Sequence, residues 1–221
     1  MPAWAPGPAV TALADLPYAR ALTAQDRDPL DGDDHEHASW EGGSWDRVDA
    51  GGTRFADTAV SGMTVTGGDF GRSRWHDSWI GRSRWIGTDL TQVDLRDVTV
   101  VGCALTATGM SGATWRRVHL VECRIESVNL KFATLTDVLF DRCELTDVDF
   151  GGLKATRVRF PGSTVSRLRL NDTTLTDVDF RGARSLDVTG DVTSLRGAVV
   201  DAAQLADLAP ALAVGLGLRV E

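Results

Sequence analysis

Apolar residues recur every five positions along most of the chain. Every residue whose number is a multiple of five is apolar from Trp40 to Phe180, which makes 29 consecutive positions without a polar residue. A helix turns one face toward a core with a period of 3.6 residues and a strand with a period of two, so neither element alone explains a period of five. The pattern therefore predicts an internal five-residue repeat.

A second series of small or β-branched residues lies two positions before each large apolar residue. Between residues 73 and 148 this series contains only Ser, Thr, Val, Cys and Ala, and the other three positions of each block are mostly polar. Examples are the blocks VDLRD at 93–97, VDFGG at 148–152 and VDFRG at 178–182. Such blocks are similar to those of pentapeptide repeat proteins, and the resemblance implies that one large and one small inward side chain per block fill a narrow shaft while stacked coils satisfy each other's backbone groups.

These blocks resemble the pentapeptide repeat family over about residues 38–187. The resemblance implies an all-β solenoid, a right-handed quadrilateral β-helix in which four blocks make one coil of 20 residues. The sequence RSRW occurs at 72–75 and again at 82–85, and arginine beside tryptophan is typical of nucleic-acid grooves. Because ten residues are half a coil, the two copies lie on opposite faces, so we expect no direct contact with nucleic acid.

The two ends of the chain differ from the repeat. Residues 1–37 are predicted to form an N-terminal arm, and residues 188–221 a C-terminal cap with a short helix. Leu30 and His35 continue the five-residue count, so a start of the β-helix as early as residue 30 remains open. Asp201 is a candidate N-cap, and Pro210 is expected to end or kink the helix. The cap is expected to cover the last coil of the solenoid. In some members of the family the C-terminal segment forms a two-fold dimer, so the candidate cap and dimer residues are Leu205, Leu208 and Leu212.

Residues that could hold a metal have simpler explanations. His35 and His37 lie among acidic residues, but side chains two apart on an extended chain point to opposite sides, which favours a solvated lead-in. The cysteines at 103, 123 and 143 are spaced by one coil, which places them in a line inside the shaft as small core residues. We expect neither a metal nor a cofactor.

Enzymatic activity and membrane insertion are not expected either. The chain contains no nucleophile–base motif, and a shaft filled with Trp, Phe and Leu leaves no interior pocket. It has no stretch of 18 apolar residues and no signal peptide at its start, and its three cysteines do not make a disulfide framework. These features predict a reduced, cytoplasmic protein.

The net charge of −8 is unevenly placed along the sequence. Residues 38–187 carry 20 acidic and 19 basic side chains, so the excess negative charge is predicted to lie at the two ends. Two outward columns at 20-residue spacing are nevertheless candidate acidic stripes: Asp49, Asp69 and Asp89 in one, and Asp57, Asp77 and Asp97 in the other.

One outward column is apolar and is a candidate interaction face. It consists of Trp79, Val101, His119, Val121 and Leu139, and contiguous exposed apolar surface usually marks an interface. Three interpretations remain open, namely a site for a partner, coverage by the N-terminal arm, or no role.

The resemblance also implies a function. Pentapeptide repeat proteins of the quinolone-resistance type mimic a DNA duplex, bind DNA gyrase or topoisomerase IV and protect them from drugs. We therefore expect a non-catalytic interaction module, in its most concrete form a DNA mimic that modulates a type II topoisomerase. The alternative is a structural scaffold or self-associating rod that binds an unrelated protein through the apolar face.

Overall fold

The computed structural model describes residues 9–215, 217 and 218. Its strands pair in parallel with partners 20 residues away, as Arg54 does with Arg74 and Trp85 with Leu105. The chain therefore winds into a β-solenoid of about eight turns with one C-terminal helix. This confirms the all-β solenoid that the resemblance to the pentapeptide repeat family implies.

Each coil has four sides, which we name by their inward large residues. In steps of 20, face D holds the inward residues 35 to 175, face A holds 40 to 180, face B holds 45 to 165 and face C holds 50 to 170. The residues directly before and after each inward residue point outward. The residue two positions after the inward residue forms the corner. Corner residues adopt the left-handed conformation, for example Asp57 with a φ of 49° and Arg142 with a φ of 52°.

Faces D and A belong to one sheet. The strands of face D in the first coils are Asp34–Glu36, Arg54–Ala56, Arg74–His76 and Asp94–Arg96. The strands of face A are Thr23–Ala24, Ala38–Glu41, Ala59–Ser61, Trp79–Gly81, Thr99–Val101 and, at the far end, Ala198–Val199. In the later coils one strand runs along both faces: Thr114–Val121, Thr134–Asp141, Lys154–Arg159 and Thr174–Asp179.

Face B forms the second sheet, and face C is held by single bridges. The strands of face B are Ser44–Asp46, Thr64–Thr66, Arg84–Ile86, Ala104–Thr106, Arg124–Glu126, Glu144–Thr146, Thr164–Leu170 and Ser185–Gly190. On face C the bridges run from Asp49 with Asp69 to Asp149 with Arg169. Short 3-10 helices occupy Leu13–Asp15, Ala19–Ala21 and Val192–Leu195.

All 29 large positions of the repeat are buried, and aromatic rings fill both halves of the shaft. The rings of Phe55 and Trp75 stack with centroids 3.7 Å apart, and Phe140 stacks on Phe160 at 5.0 Å. Between these groups lies an apolar cavity of about 40 Å³, whose lining includes Val100 and Trp115. The cavity lies where aliphatic residues replace the rings, because they fill less of the same cross-section.

The cysteine column lies inside the shaft, as its spacing predicts. Cys103, Cys123 and Cys143 are buried and free. The Cys123 N–H donates to the Cys143 Sγ at 3.4 Å, and the Cys143 N–H donates to the Ser163 hydroxyl at 2.8 Å. The hydrogen bond to the Cys123 sulfur, together with burial, raises the pKa of Cys103, which keeps that thiol protonated.

His35 belongs to the shaft, although it lies in the acidic lead-in of the sequence. Its ring is 5% exposed and stacks on Phe55 with centroids 5.5 Å apart. Its Nε2 lies 3.3 Å from the Asp33 Oδ2, out of line for a hydrogen bond. Burial lowers the pKa of His35, although the Asp33 carboxylate opposes that shift.

The solenoid extends past both predicted boundaries. Strand Asp34–Glu36 pairs within the ladder before residue 38, and Val199 pairs with Asp179 after residue 187. The register shifts by one residue locally in the last coil, because Thr164 pairs with Ser185 whereas Leu168 pairs with Val188 at the usual spacing of 20.

A single helix, Ala202–Gly215, follows the last coil. The Asp201 carboxylate accepts from the Gln204 N–H at 2.9 Å, which confirms the predicted N-cap. The Gln204 amide donates to the Phe180 carbonyl at 2.8 Å and so ties the helix to the solenoid. Of the two expectations for Pro210, an end or a kink of the helix, the end was wrong, because Pro210 lies inside the helix.

The leucines of this helix do not share one buried face. Leu208 is 4% exposed and Leu212 is half-buried, and both pack against the shaft core. Leu205 is 52% exposed. The cap is therefore formed by Leu208 and Leu212, while Leu205 lies on the outer side together with the exposed Val214.

Candidate interaction surfaces

Residues 10–22 of the N-terminal arm lie on face A and cover part of the predicted apolar face. Leu16 packs with Ala59 and Trp79 in a small cluster separate from the shaft. The Trp79 indole donates to the Val10 carbonyl at 3.1 Å, and only 2% of the residue is exposed. Of the three interpretations of this face, the structure therefore supports coverage by the arm at Trp79.

The flat surface beneath the arm depends on Gly81. A Cβ at Gly81 would collide with the Trp79 ring, so the indole lies directly over this residue. A second contact comes from Tyr18, whose hydroxyl donates to the Thr58 carbonyl at 3.3 Å. The Trp79 ring, packed on Gly81, and two hydrogen bonds to main-chain carbonyls thus hold the arm on face A.

The other residues of the apolar face differ in exposure. Val101 is half-buried and packs against the arm cluster, and Val121 is 2% exposed. His119 and Leu139 are half-buried neighbours in adjacent strands. Trp79 and Val121 are thus buried, so a partner would meet mainly His119 and Leu139, whose role in binding stays a prediction.

The predicted carboxylate column is formed on face C. Backbone bridges join Asp49 to Asp69 and Asp69 to Asp89, so one carboxylate occurs per coil, about 4.8 Å apart. Each accepts the N–H two residues later, at distances between 2.6 and 3.4 Å, which fixes its orientation. The Asp31 carboxylate lies one coil earlier in the neighbouring outward column of face C, beside Gly51. Among the described residues these four form no ion pair.

A second column runs along the corner between faces D and A. Asp57, Asp77 and Asp97 are left-handed corner residues one coil apart. Burial and then the neighbouring Asp97 and Asp57 carboxylates raise the pKa of Asp77. Burial, with Asp57 and Asp77 nearby, also raises the pKa of Tyr18. Asp97 ends the column, because it accepts two hydrogen bonds from Arg117.

Carboxylates in the later coils pair with arginines one coil away. The pairs are Glu122–Arg142, Asp137–Arg157, Asp147–Arg167 and Asp149–Arg169, each separated by 20 residues. Opposite charges one strand apart stabilise a parallel sheet weakly but neutralise each other's field.

The negative charge therefore lies on one half of the solenoid. Residues 26–97 carry 15 acidic side chains and 8 arginines, a net charge of −7, while residues 98–187 carry 11 acidic and 12 basic side chains, a net of +1. The excess negative charge was predicted to lie at the two ends, outside the solenoid. That prediction was wrong for the N-terminal end, because strand Asp34–Glu36 and its neighbours belong to the solenoid.

Sites for other chemistry are scarce in the described part of the chain. It contains no group of three or more His, Cys, Asp or Glu side chains placed to hold a metal. The cavity in the shaft is enclosed by apolar side chains. No helix in the described part of the chain is long and apolar enough to cross a membrane.

The repeat, the coil and the corner geometry together define the class of protein. A sequence model described as a pentapeptide repeat region matches residues 81–150, and the same five-residue register continues on both sides of that match. Residues 81–150 are thus a pentapeptide repeat region, and the structure continues the same repeat through the rest of the solenoid.

Solved structures of similar shape are pentapeptide repeat or fluoroquinolone resistance proteins. Trypsin-treated QnrB1, a plasmid-mediated fluoroquinolone resistance protein, is 17% identical, with 83% of this chain and 99% of that chain covered and a TM-score of 0.46. HetL, from the cyanobacterium Nostoc sp. strain PCC 7120 and involved in heterocyst differentiation regulation, is 16% identical, with 71% and 76% covered and a TM-score of 0.31. A thylakoid-lumen protein from Arabidopsis thaliana is 12% identical, with 56% and 72% covered and a TM-score of 0.36. No curated protein sequence gives a significant match.

Proposed function

We propose that this protein is a non-catalytic binding module whose acidic N-terminal half docks on a cationic protein surface. The observation that carries the proposal is the face C column of Asp49, Asp69 and Asp89, with Asp31 beside its first member, which no arginine neutralises among the described residues. The coil spacing and the turn hydrogen bonds hold these carboxylates at fixed positions. A preformed field of one sign attracts a surface of opposite sign and accelerates its association.

The most concrete partner is the DNA-binding surface of a type II topoisomerase, DNA gyrase or topoisomerase IV. Duplex DNA carries one charge per about 1.7 Å of its axis. One column supplies a charge per about 4.8 Å, and the face C and corner columns together supply one per about 2.4 Å over the first coils. The acidic half would thus mimic a short piece of duplex in the cytoplasm, modulate the enzyme and confer resistance to gyrase-directed drugs.

The test is inhibition of gyrase supercoiling by the purified protein, with and without a fluoroquinolone, at two salt concentrations. The variant combines Asp49→Asn, Asp69→Asn and Asp89→Asn. Each asparagine Oδ1 keeps the turn hydrogen bond while the charge is lost. We expect the wild type to inhibit and the variant to need about tenfold more protein, with a weaker dependence on salt.

A matched control removes the same charge from the other half. Glu144→Gln, Asp172→Asn and Asp177→Asn change three carboxylates that form no ion pair in the described structure, and this variant should inhibit like the wild type. Absence of inhibition by a large excess of wild type would refute the topoisomerase assignment. Equal losses in both variants would show that net charge matters rather than the column.

The alternative of a scaffold that binds through the apolar face loses its main anchor, because Trp79 is covered by the arm. Self-association remains a proposal for the C-terminal segment, where Leu205 and Val214 are exposed on the outer side of the helix. Sedimentation of wild type and Leu205→Glu at several concentrations tests it, since only the wild type would form a dimer.

A further inference from the structure

Phe132 is an aromatic residue in an unusual place. It forms the corner between faces C and D with a φ of 59°, and it is 70% exposed. The left-handed region is disfavoured for bulky side chains, and asparagine, aspartate and glycine adopt it most readily. Elsewhere in the same corner column the residues are polar or glycine, such as Gln92 and Asp172. The corner position accounts for the backbone conformation, as at the other corners, but packing in the shaft does not explain a bulky exposed ring there.

The surface next to Phe132 in its corner column is flat. The corners one coil below and one coil above are Gly112 and Gly152. A Cβ on Gly152 would lie 2.5 Å from the Phe132 ring, so one face of the ring rests on the Gly152 backbone and the other faces outward. A partner surface can therefore approach the ring without meeting larger side chains in its own column.

Beside Phe132 one carboxylate lies between two cationic side chains, so no excess negative charge remains there. Asp149 accepts a hydrogen bond from Arg169 at 2.8 Å and lies 3.3 Å from the Lys131 ammonium. The carboxylate column of face C ends at Asp89, two coils or about 10 Å lower along the axis. Face C and its edge thus carry a row of negative charges, then a flat stretch at Gly109, then a single protruding ring.

We propose that Phe132 is the apolar anchor of the face C binding surface, and that the partner protein presents an apolar pocket about 10 Å from its cationic strip. This inference rests on the proposed function, because the carboxylate column defines the strip that the partner must carry. An aromatic side chain that enters a pocket surrounded by near-neutral contacts is a typical hot spot, and the charges beside it set orientation and association rate.

The test measures fluorescence anisotropy with two labelled peptides as probes. One is a short peptide of alternating lysine and glycine, and the other is the same peptide with a leucine cluster at one end. We expect the leucine-bearing peptide to bind the wild type about tenfold more tightly. Phe132→Asn should abolish this gain, and Phe132→Trp should keep it.

Two further measurements separate anchoring from a structural role. Phe132→Asn should melt at or above the wild-type temperature, because asparagine suits the left-handed conformation, whereas a ring needed for folding would give a lower melting temperature. Ile86→Asn changes an exposed apolar residue on face B and should leave the gain intact.

The outcomes distinguish the two proposals. If the lysine–glycine peptide binds and the leucine cluster adds nothing, or if the gain survives Phe132→Asn, the anchor is refuted and the acidic docking surface stands. If neither peptide binds the wild type, the acidic docking surface fails and the anchor falls with it.

Discussion

Removal of the Trp79 side chain is expected to release the N-terminal arm and leave the solenoid folded. The indole is the largest member of the cluster between arm and face A, and it donates the hydrogen bond to the Val10 carbonyl. It does not contribute to the shaft, whose core forms a separate cluster. Trp79→Ala therefore removes the contact of the arm without creating a cavity in the solenoid.

The magnitude follows from the area that the indole covers. A buried tryptophan removes about 150–250 Å² from water, worth about 4–6 kcal/mol at 25 cal/mol per Å². When the arm opens, only the outer side of the ring becomes exposed, so about half of this, 2–3 kcal/mol, separates the closed from the open arm. Because 1.4 kcal/mol is a factor of ten, the open population should rise about 30- to 100-fold.

Limited trypsin digestion measures that population at Arg20, which is exposed in the arm. When opening is fast, the cleavage rate follows the open fraction. Gly81→Val tests the same contact from the solenoid side. The valine side chain would displace the Trp79 ring, so this variant should also be cleaved faster at Arg20. Ile86→Ala on face B is the control. Unchanged cleavage at Arg20 in both Trp79→Ala and Gly81→Val would refute this account of how the arm is held.

Three other predictions concern the solenoid itself. Val100→Ile adds one methyl group toward the 40 Å³ cavity and should raise the free energy of unfolding in urea by at most ~1 kcal/mol, at 24 cal/mol per Å³; a decrease would mean that the cavity cannot be filled from this side. Gly68→Ala should lower the melting temperature far more than Gly42→Ala, because both have positive φ but only a Cβ at Gly68 would collide with the Val48 carbonyl. Burial lowers the pKa of His35, so the unfolded chain takes up a proton more readily and stability is lost as the pH falls from about 6.5. Melting curves between pH 8 and 5 should show this loss, and His35→Phe should reduce it.

The shaft could be predicted from the sequence because one rule governs every coil. Each large inward position from Trp40 to Phe180 is buried, and the stacked cysteines follow from the same spacing. The rule fails where the chain leaves the repeat. Leu16 and the rest of the arm do not follow the five-residue repeat. The sequence could therefore suggest that the arm covers Trp79, but it could not exclude an exposed apolar face.

Features of the surface depend on contacts between coils, and some of them had a signal in the sequence. A search for opposite charges 20 residues apart finds Asp137 with Arg157 and shows that the later coils neutralise themselves. Phe132 stands at a corner where the repeat elsewhere places mostly glycine or polar residues, which marks it as an exception. Its exposure could not be predicted, because that depends on the small residues above and below it in the coil stack.

The contrast between the two halves is the strongest argument that the acidic half is functional. The coil spacing that brings Asp147 to Arg167 also brings Asp69 between Asp49 and Asp89, so the fold imposes both the favourable and the unfavourable contacts. Like charges on neighbouring strands are destabilising, and local rules of stability are typically broken at functional sites. Asp69→Asn should therefore raise the melting temperature at low salt while weakening association with a cationic partner. If Asp69→Asn left both unchanged, the column would be ordinary solvated surface.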